Sequence, residues 1–500
     1  MKTVKYIILI LATAMMATSC DDWLDVRGEN ISKENDQFES YKGFRDALTG
    51  CYMAMADADA YGQRLTMTDI ECMADLWYVE DAHENTAPLK YDLSHHDYES
   101  DYCRPVIKAI YAKLFHVVAS ANVLIKNIEA RGGSIADEVT RKVITGEAYA
   151  IRAYCQFDIL RLFGQLPNAK GSKQVSLPYS YTTGIDEVPA YYGYADYVAC
   201  LKKDIEKAEE LLKNNDPVFS QTFRELNATS IAADSYMCYR QSRLNYWAVR
   251  ALHARMALYT GEEAEANAIA TEIIQAKGAD GESLMPLSGT SDLNNGYNGL
   301  PSECLFYLSK YNVNSYANEV LIGGRTAQVP AAAYYLSSGQ LNDLYASVPG
   351  STASHNRYLY QWNRNALDAY GKPHAVTKKY WYDEASANSS YLVTRYQIIP
   401  MLRMSEMYLI AIETSTDLNT AQSLYDAYMR ECQFTLYEPF ASLEAAKEEM
   451  VNEYRRELFA EGQMFFCYKR HAAKQMMWND DEMTEDSYIL PLPSTEILNQ

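Results

Sequence analysis

Apolar side chains between Val143 and Leu162 recur with the period of a helix. Ile144, Ala148, Ile151, Cys155, Ile159 and Leu162 fall at i, i+4, i+7, i+11, i+15 and i+18, and a second stripe of Val143, Ala150, Tyr154 and Phe157 runs beside them. One neighbour does not cover so wide a surface, so this helix is expected between packed helices, with Gly164 as its stop and Pro167 forbidding continuation. The same period predicts helices over 41–56, 106–128, 194–213, 245–260, 262–276, 402–413 and 419–431. In 194–213, Leu201, Ile205, Ala208 and Leu212 face inward while Lys202, Lys203, Glu206 and Glu210 face out. Ala248, Ala251, Ala254 and Ala257 let a second helix approach closely before Gly261 turns the chain. The expected fold class is therefore mostly α, with about four tetratricopeptide-like helix pairs. Such units in tandem recur at about 34 residues. Here more than a hundred residues separate the last two pairs, so the stack is interrupted by insertions.

Two stretches break the helical pattern. Residues 62–104 are polar and aromatic with no sustained period, and 277–400 holds ten of the 23 glycines, six of the 15 prolines and fourteen of the 42 tyrosines. Leu305-Phe306-Tyr307-Leu308 and Leu392-Val393-Thr394 read as short strands, and the rest of 277–400 as irregular. Loops on a rigid scaffold are where binding residues concentrate, and tyrosine suits them because its ring stacks while its hydroxyl stays wet.

The amino terminus adds a destination. Lys2 and Lys5, an apolar run from Tyr6 to Met16, and Ala17-Thr18-Ser19 before Cys20 read as a secretory signal over 1–19, too short to remain as a span. Residues 20–36 follow as a tether, and 37–500 as a single unit. No later stretch of 18 apolar residues is apparent. A formal charge of −21 argues against nucleic acid or an anionic bilayer as the ligand. Nine further cysteines, at 51, 72, 103, 155, 200, 238, 304, 432 and 467, form no C-x-x-C pair; buried free thiols are expected, with Cys72 and Cys103 as a pair that export could oxidise.

Catalytic signatures are missing: G-x-S-x-G, H-E-x-x-H, a phosphate loop and a dinucleotide fingerprint do not occur, and no cofactor is expected. Glu453, Glu457 and Glu461 are spaced i, i+4, i+8 with Arg455 and Arg456 among them, the composition of a salt-bridged helix face. His95-His96 with Asp92, Asp97 and Asp101, the Asp57–Thr68 segment, and Asp292, Asn294 and Glu303 contain metal-ligand residue types, but each departs from ligand spacing, and no metal site is assigned.

Four segments carry a family likeness. Arg152 to Pro167 (RAYCQFDILRLFGQLP), Ile398 to Glu413 (IIPMLRMSEMYLIAIE), Arg455 to Arg470 (RRELFAEGQMFFCYKR) and Leu490 to Asn499 resemble, in the expected order, segments of the SusD/RagB family of outer-membrane nutrient-binding lipoproteins. Ile110 to Ile125 resembles that family's preceding helix. The resemblance implies a SusD-like fold, lipidation at Cys20 with Asp21-Asp22 as a surface-export tag, and an outer-membrane location facing the cell surface. It implies a non-enzymatic function: capture of an oligosaccharide, or in the RagB manner a peptide, for a SusC-like TonB-dependent transporter. In that family the ligand surface is built from the loop before the 106–128 helix and from the mid-chain insertion. Those regions here offer Trp77, Tyr78, Asp81 and Asn85, then Tyr297, Tyr311, Tyr316 and Trp362, with Trp77 foremost: aromatic faces to stack on sugar C–H surfaces and polar groups to bind hydroxyls. Tyr380-Trp381 is assigned to the scaffold, because Lys379-Tyr380 resembles the family's structural Lys-Tyr before its Arg-x-x-Glu helix. Gln463-Met464-Phe465-Phe466-Cys467 and His355-Asn356-Arg357 depart from the family's usual His-Arg-Trp-Phe-Asp and Asp-x-Arg.

Overall fold

A computed structural model describes residues 34–494, apart from 169, 185, 229–233, 325–327, 331, 349 and 369. The signal segment and Cys20 lie outside the described residues. Residues 34–37 form a helical turn in which Glu34 accepts from Asn127 Nδ2 at 2.8 Å, so residues 34–36 of the segment read as tether are packed on the helices.

Eight helices form a continuous stack: α1 (Tyr41–Met55), α2 (Cys103–Arg131), α3 (Glu138–Phe163), α4 (Tyr194–Leu212), α5 (Tyr246–Thr260), α6 (Glu263–Gln275), α7 (Met404–Glu413) and α8 (Leu418–Glu431). Each packs on the next, and α6 packs on α7 although some 130 residues separate them in the chain. The insertion is therefore looped out of a stack that closes beneath it. Side chains cap the helix starts: Ser40, Asp137, Asn245 and Asp417 each accept from a backbone N–H in the first turn. Gly261, at φ 82°, makes the left-handed turn between α5 and α6. At the end of α3, Lys469 Nζ donates to the carbonyls of Arg161 and Gly164 at 2.8 and 2.7 Å, satisfying acceptors the helix leaves open. Both predicted stripes of α3 are fully buried. By length and hydropathy α2 could span a bilayer, which the sequence reading did not foresee, but its apolar stripe is consumed in packing against α1 and α3.

Bidentate ion pairs tie the stack together. Arg152 joins α3 to Asp204 of α4 at 2.6 and 2.7 Å, and Arg255 of α5 grips Glu406 of α7 at 2.6 Å through two nitrogens. Two further helices, α9 (Leu443–Glu457) and α10 (Met464–His471), complete the carboxyl-terminal end.

Strand structure is sparse. A two-residue ladder joins β1 (Leu177–Pro178) to β2 (Tyr191–Tyr192). The long insertion is pinned at its root by β3 (Cys304–Ser309) paired antiparallel with β7 (Ile398–Arg403), so the predicted strand at 305–308 forms. Between them, β4 (Leu336–Ser337), β5 (Trp362–Leu367) and β6 (Pro373–Thr377) make a sheet of order β4-β6-β5 that the sequence reading left as irregular. Residues 392–394, expected as a strand, lie instead in a single π-helical turn, Leu392–Tyr396.

A buried charge cluster locks that insertion onto the helices. Arg403, at the end of β7, donates to Glu461 at 2.9 Å, to Glu457 at 2.6 Å and to Glu303; Lys379 Nζ donates to Glu461 at 2.6 Å and Arg357 Nε to Glu457 at 3.1 Å. Burial alone would raise the Glu457 carboxyl, but Arg357 and Arg403 hold it well below the usual carboxylate range. Glu453, Glu457 and Glu461 are thus paired acids, as the helix-face reading expected, though buried rather than solvated. All nine described cysteines are buried free thiols, Cys72 and Cys103 included.

Candidate functional site

One cavity, of about 530 Å³, gathers the side-chain types that the composition of the insertion foreshadowed. It is lined by Gly323, Gly324, Trp362, Asn363, Arg364, Asn365, Lys378 and Trp381, and its volume falls in the range of small-ligand pockets.

Three local devices build it. The first is the β5–β6 hairpin, where Trp362 opposes Thr377 and Asn363 opposes Val376, but Ala366 opposes His374. Three residues on β5 thus match two on β6. The surplus residue makes a bulge that turns Asn363, Arg364 and Asn365 outward, with Asn365 N–H donating to Asn363 Oδ1 at 3.1 Å. The second device is the Lys378–Trp381 run. Lys379 and Tyr380 point into the core, Lys379 to the charge cluster and Tyr380 hydroxyl to Ala460 O at 2.6 Å, which leaves Lys378 and Trp381 on the cavity wall. Trp381 is further fixed by Asn298 Nδ2, which donates to its carbonyl at 2.8 Å. The third is Gly323-Gly324. A Cβ on Gly324 would sit 2.3 Å from Trp381 Nε1, and one on Gly323 2.6 Å from Thr377 O, so only glycines allow the backbone to lie against that indole.

The sequence-nominated residues divide among several places. Trp362 lines the cavity, although it is only 5% exposed and packs edge-on to Phe459 with ring centres 5.0 Å apart. Trp77 does not. It is 2% exposed, edge-on to Phe459 at 4.9 Å and near Tyr334 at 5.8 Å, and its Nε1 donates to Met67 O at 3.1 Å. An indole with both faces and its N–H committed to the core has nothing left to offer a ligand, and the expectation for Trp77 is corrected accordingly. Tyr78 is half-buried, its hydroxyl donating to Glu80 at 2.6 Å and its ring packed near Tyr335, His83 and His374. Asp81 and Asn85 are exposed around the turn His83–Thr86. Tyr311 is 80% exposed, and Tyr316 is half-buried with Lys310 over its ring.

Tyr297 belongs to a separate cleft of about 550 Å³ with Tyr391, Arg395, Arg224, Asn295 and Ser302. It stands edge-on to Tyr396 at 5.0 Å. Asp292 in that cleft accepts from Ser288 and Ser302, and Glu303 is spent on Arg403, so two of the residues weighed as calcium ligands already have internal partners. Among the described residues, no group of three or more His, Cys, Asp and Glu is placed to hold a metal ion.

Trp381, Arg364, Lys378 and the two asparagines were missed. The run Trp-Asn-Arg-Asn at 362–365 and the adjacent glycines 323–324 were visible in the sequence, but only the bulge and the fold of the insertion bring them to one wall. Trp381, assigned to the scaffold with Tyr380, parts from it because Lys379 and Tyr380 lie in a turn, closed by Trp381 N–H to Lys378 O at 2.9 Å, that commits those two to the core and leaves Trp381 beyond it.

Comparison with known proteins finds likenesses in sequence and fold. The SusD family profile matches residues 333–498, which include the hairpin, Trp381, the Arg403 cluster and the last four helices. SusD-like protein P2 of Formosa agariphila is 23% identical over 164 residues, covering 33% of this chain and only 30% of that protein's length. A solved SusD superfamily protein from Bacteroides thetaiotaomicron superposes with a TM-score of 0.65 at 20% identity, over 92% of this chain and 97% of its own. A structure described as a putative sugar binding protein from Bacteroides vulgatus gives 0.64 at 19% identity, over 92% and 96%. Another from the same species, described as a SusD-like carbohydrate binding protein, gives 0.62 at 15% identity, over 86% and 83%. At such identities the structural likeness speaks for the fold. The SusD family profile thus covers the carboxyl-terminal third of the chain, and the fold of solved SusD superfamily proteins covers nine-tenths of its length.

Proposed function

We propose that the protein is a non-catalytic, cell-surface lipoprotein that captures an oligosaccharide in the Trp362–Trp381 cavity and passes it to a SusC-like TonB-dependent transporter. The observation that carries the reading is the cavity wall itself: an accessible indole, a second indole at its edge, and two asparagine amides on a rigid hairpin. Sugars present apolar C–H faces to rings and hydroxyls to amides, and a preorganised wall keeps the entropic cost of binding low. Two solved relatives described as sugar or carbohydrate binding proteins share the fold, which supports a sugar over a peptide. Lipid attachment at Cys20, the outer-membrane location and the transporter partner come from the family resemblance of the sequence.

A screen of the soluble chain from Asp21 onward against glycan and peptide libraries tests the proposal, run in parallel with Trp381→Ala. Oligosaccharide binding that weakens in Trp381→Ala is the expected result. Peptide binding without glycan binding would return the RagB-like alternative, and glycan binding indifferent to Trp381 would move the site elsewhere. For the partner, detergent extraction of the outer membrane and pull-down on the mature protein should recover a TonB-dependent barrel; repeated recovery of none would count against it.

A further inference from the structure

The charges lining the Trp362–Trp381 cavity are all of one sign. Arg364 and Lys378 stand on its wall, and no aspartate or glutamate does. Neither cation is in an ion pair among the described residues: Arg364 lies over the Tyr358 ring with its guanidinium carbon 4.8 Å from the centroid, and Lys378 makes only backbone hydrogen bonds, to Gln361 and Trp381. The environment of Lys378 is unfavourable to its charge. Burial of its stem and the nearby Arg364 guanidinium together push its ammonium below the usual lysine range, and no carboxylate offsets them.

In a chain with 66 acidic against 45 basic residues, many cations find acids: Arg357, Lys379 and Arg403 in the core, Lys202 with Glu262 and Glu265, Arg250 with Glu209 and Glu272. Buried lysines without a carboxylate, such as Lys469 and Lys90, donate instead to backbone carbonyls, whereas the ammonium of Lys378 has no hydrogen-bond acceptor among the described residues. Two unpaired cations side by side cost electrostatic free energy that folding does not recover, and a ligand anion would recover it. Arg364 also falls at a strand irregularity, the bulge of β5, and lines the cavity from there.

We infer that the ligand of this cavity is an acidic oligosaccharide, a sugar chain bearing a carboxylate or sulfate group that sits between Arg364 and Lys378 while a ring stacks on Trp381. The inference rests on the proposed capture function and narrows its substrate class. Arg364 supplies planar paired donors that suit a carboxylate or sulfate edge, and Lys378 a point charge beside it. The overall acidity of the protein disfavours anions at long range, but at physiological salt that repulsion is screened beyond about 8 Å, whereas contact with the pair is not. Selection is therefore local to the cavity.

Matched pairs of probes test it. Tetragalacturonate is matched with its fully methyl-esterified, uncharged form, and a sulfated galactan tetrasaccharide with its desulfated, neutral form. The wild type is expected to bind at least one acidic member about tenfold or more tighter than its neutral counterpart, the preferred pair identifying the acid. In the double variant Arg364→Gln, Lys378→Met the ratio of acidic to neutral affinity should fall to about one. Trp381→Ala should weaken both members of the pair. Equal affinity for acidic and neutral members, a preference that survives in the double variant, or binding of neither acid overturns the inference. If neutral sugars bind and Trp381→Ala weakens them, the capture reading stands without it. If acidic sugars bind with no effect of Trp381→Ala, the cavity is not the site and both fall. Tighter binding of an acidic peptide than of any sugar acid would likewise overturn it.

Discussion

Glu71 shows how much a single position can cost in this core. Its side chain is fully buried; Oε1 accepts from Gly462 N–H at 2.6 Å, while Oε2 has no partner. Burial pushes the carboxyl up, the amides of Gly462 and Ala460 and the charge of Lys379 pull it part of the way back, and it settles at about 8. The folded state thus holds this proton more tightly than the unfolded chain, whose carboxyl titrates near 4.5. The contribution to stability is fully present below pH 4.5 and is lost as pH rises through 8, with a slope approaching about 1.4 kcal/mol per pH unit between them. Glu71→Gln keeps the bond to Gly462 and removes the titration. Urea unfolding at pH 5, 7 and 9 should show the variant gaining on the wild type as pH rises, and a pH-independent difference would refute the assignment. Trp77 makes the other residue-scale prediction. As a core indole its replacement by alanine should cost about 3–5 kcal/mol of stability. A variant with an unchanged unfolding midpoint would put Trp77 back on the surface. The sequence could not place Trp77, because the polar residues after it, Asp81, Glu84 and Asn85, are those of an exposed loop. What buries it, Phe459 and Tyr334, lies hundreds of residues away in the chain.

Elements were more legible than residues. Helices with a sustained apolar stripe, such as α3 and α4, were foreseen to within a few residues at the carboxyl end, because local periodicity and a stop residue such as Gly164 suffice to define them. The β5–β6 hairpin was not, for its strands carry Asn, Arg and Asn where alternation would be sought, and the bulge destroys the period of two. Leu392-Val393-Thr394 erred the other way: β-branched composition suggests a strand, but the segment finds no partner edge and winds into a π turn. The element that joins the two halves is the Arg403 cluster. Removing one partner from a buried ion network leaves uncompensated charge, so Arg403→Met should cost at least about 3–5 kcal/mol and loosen the insertion from α9 and α10. Hydrogen exchange of that variant should show β3, β7 and the hairpin losing protection before α2 and α3. Uniform loss would mean that the cluster does not couple the halves.

At the scale of the molecule, the helical stack is continuous and carries the long insertion as a loop between two packed helices. α6 meets α7 across the base while the β3–β7 ladder pins the insertion's root, so loops can change without unpacking the helices. The family resemblance was legible in segments that form helices and core, such as 152–167 and 398–413, whereas the cavity wall is gathered from separate parts of the insertion. The proposed location of the molecule turns on Cys20. Cys20→Ala, followed by membrane fractionation, should release the protein from the outer membrane, since durable attachment needs the acyl chains of that residue; retention to the same extent would end the lipoprotein reading. The central claim, capture of a sugar on the Trp362–Trp381 wall, is tested most directly by calorimetric titration of the wild type and Trp381→Ala with the tightest-binding oligosaccharide of the screen. The predicted result is a loss of about 2 kcal/mol, roughly 30-fold in Kd, with the unfolding midpoint little changed. An unchanged Kd in a folded Trp381→Ala protein would contradict it.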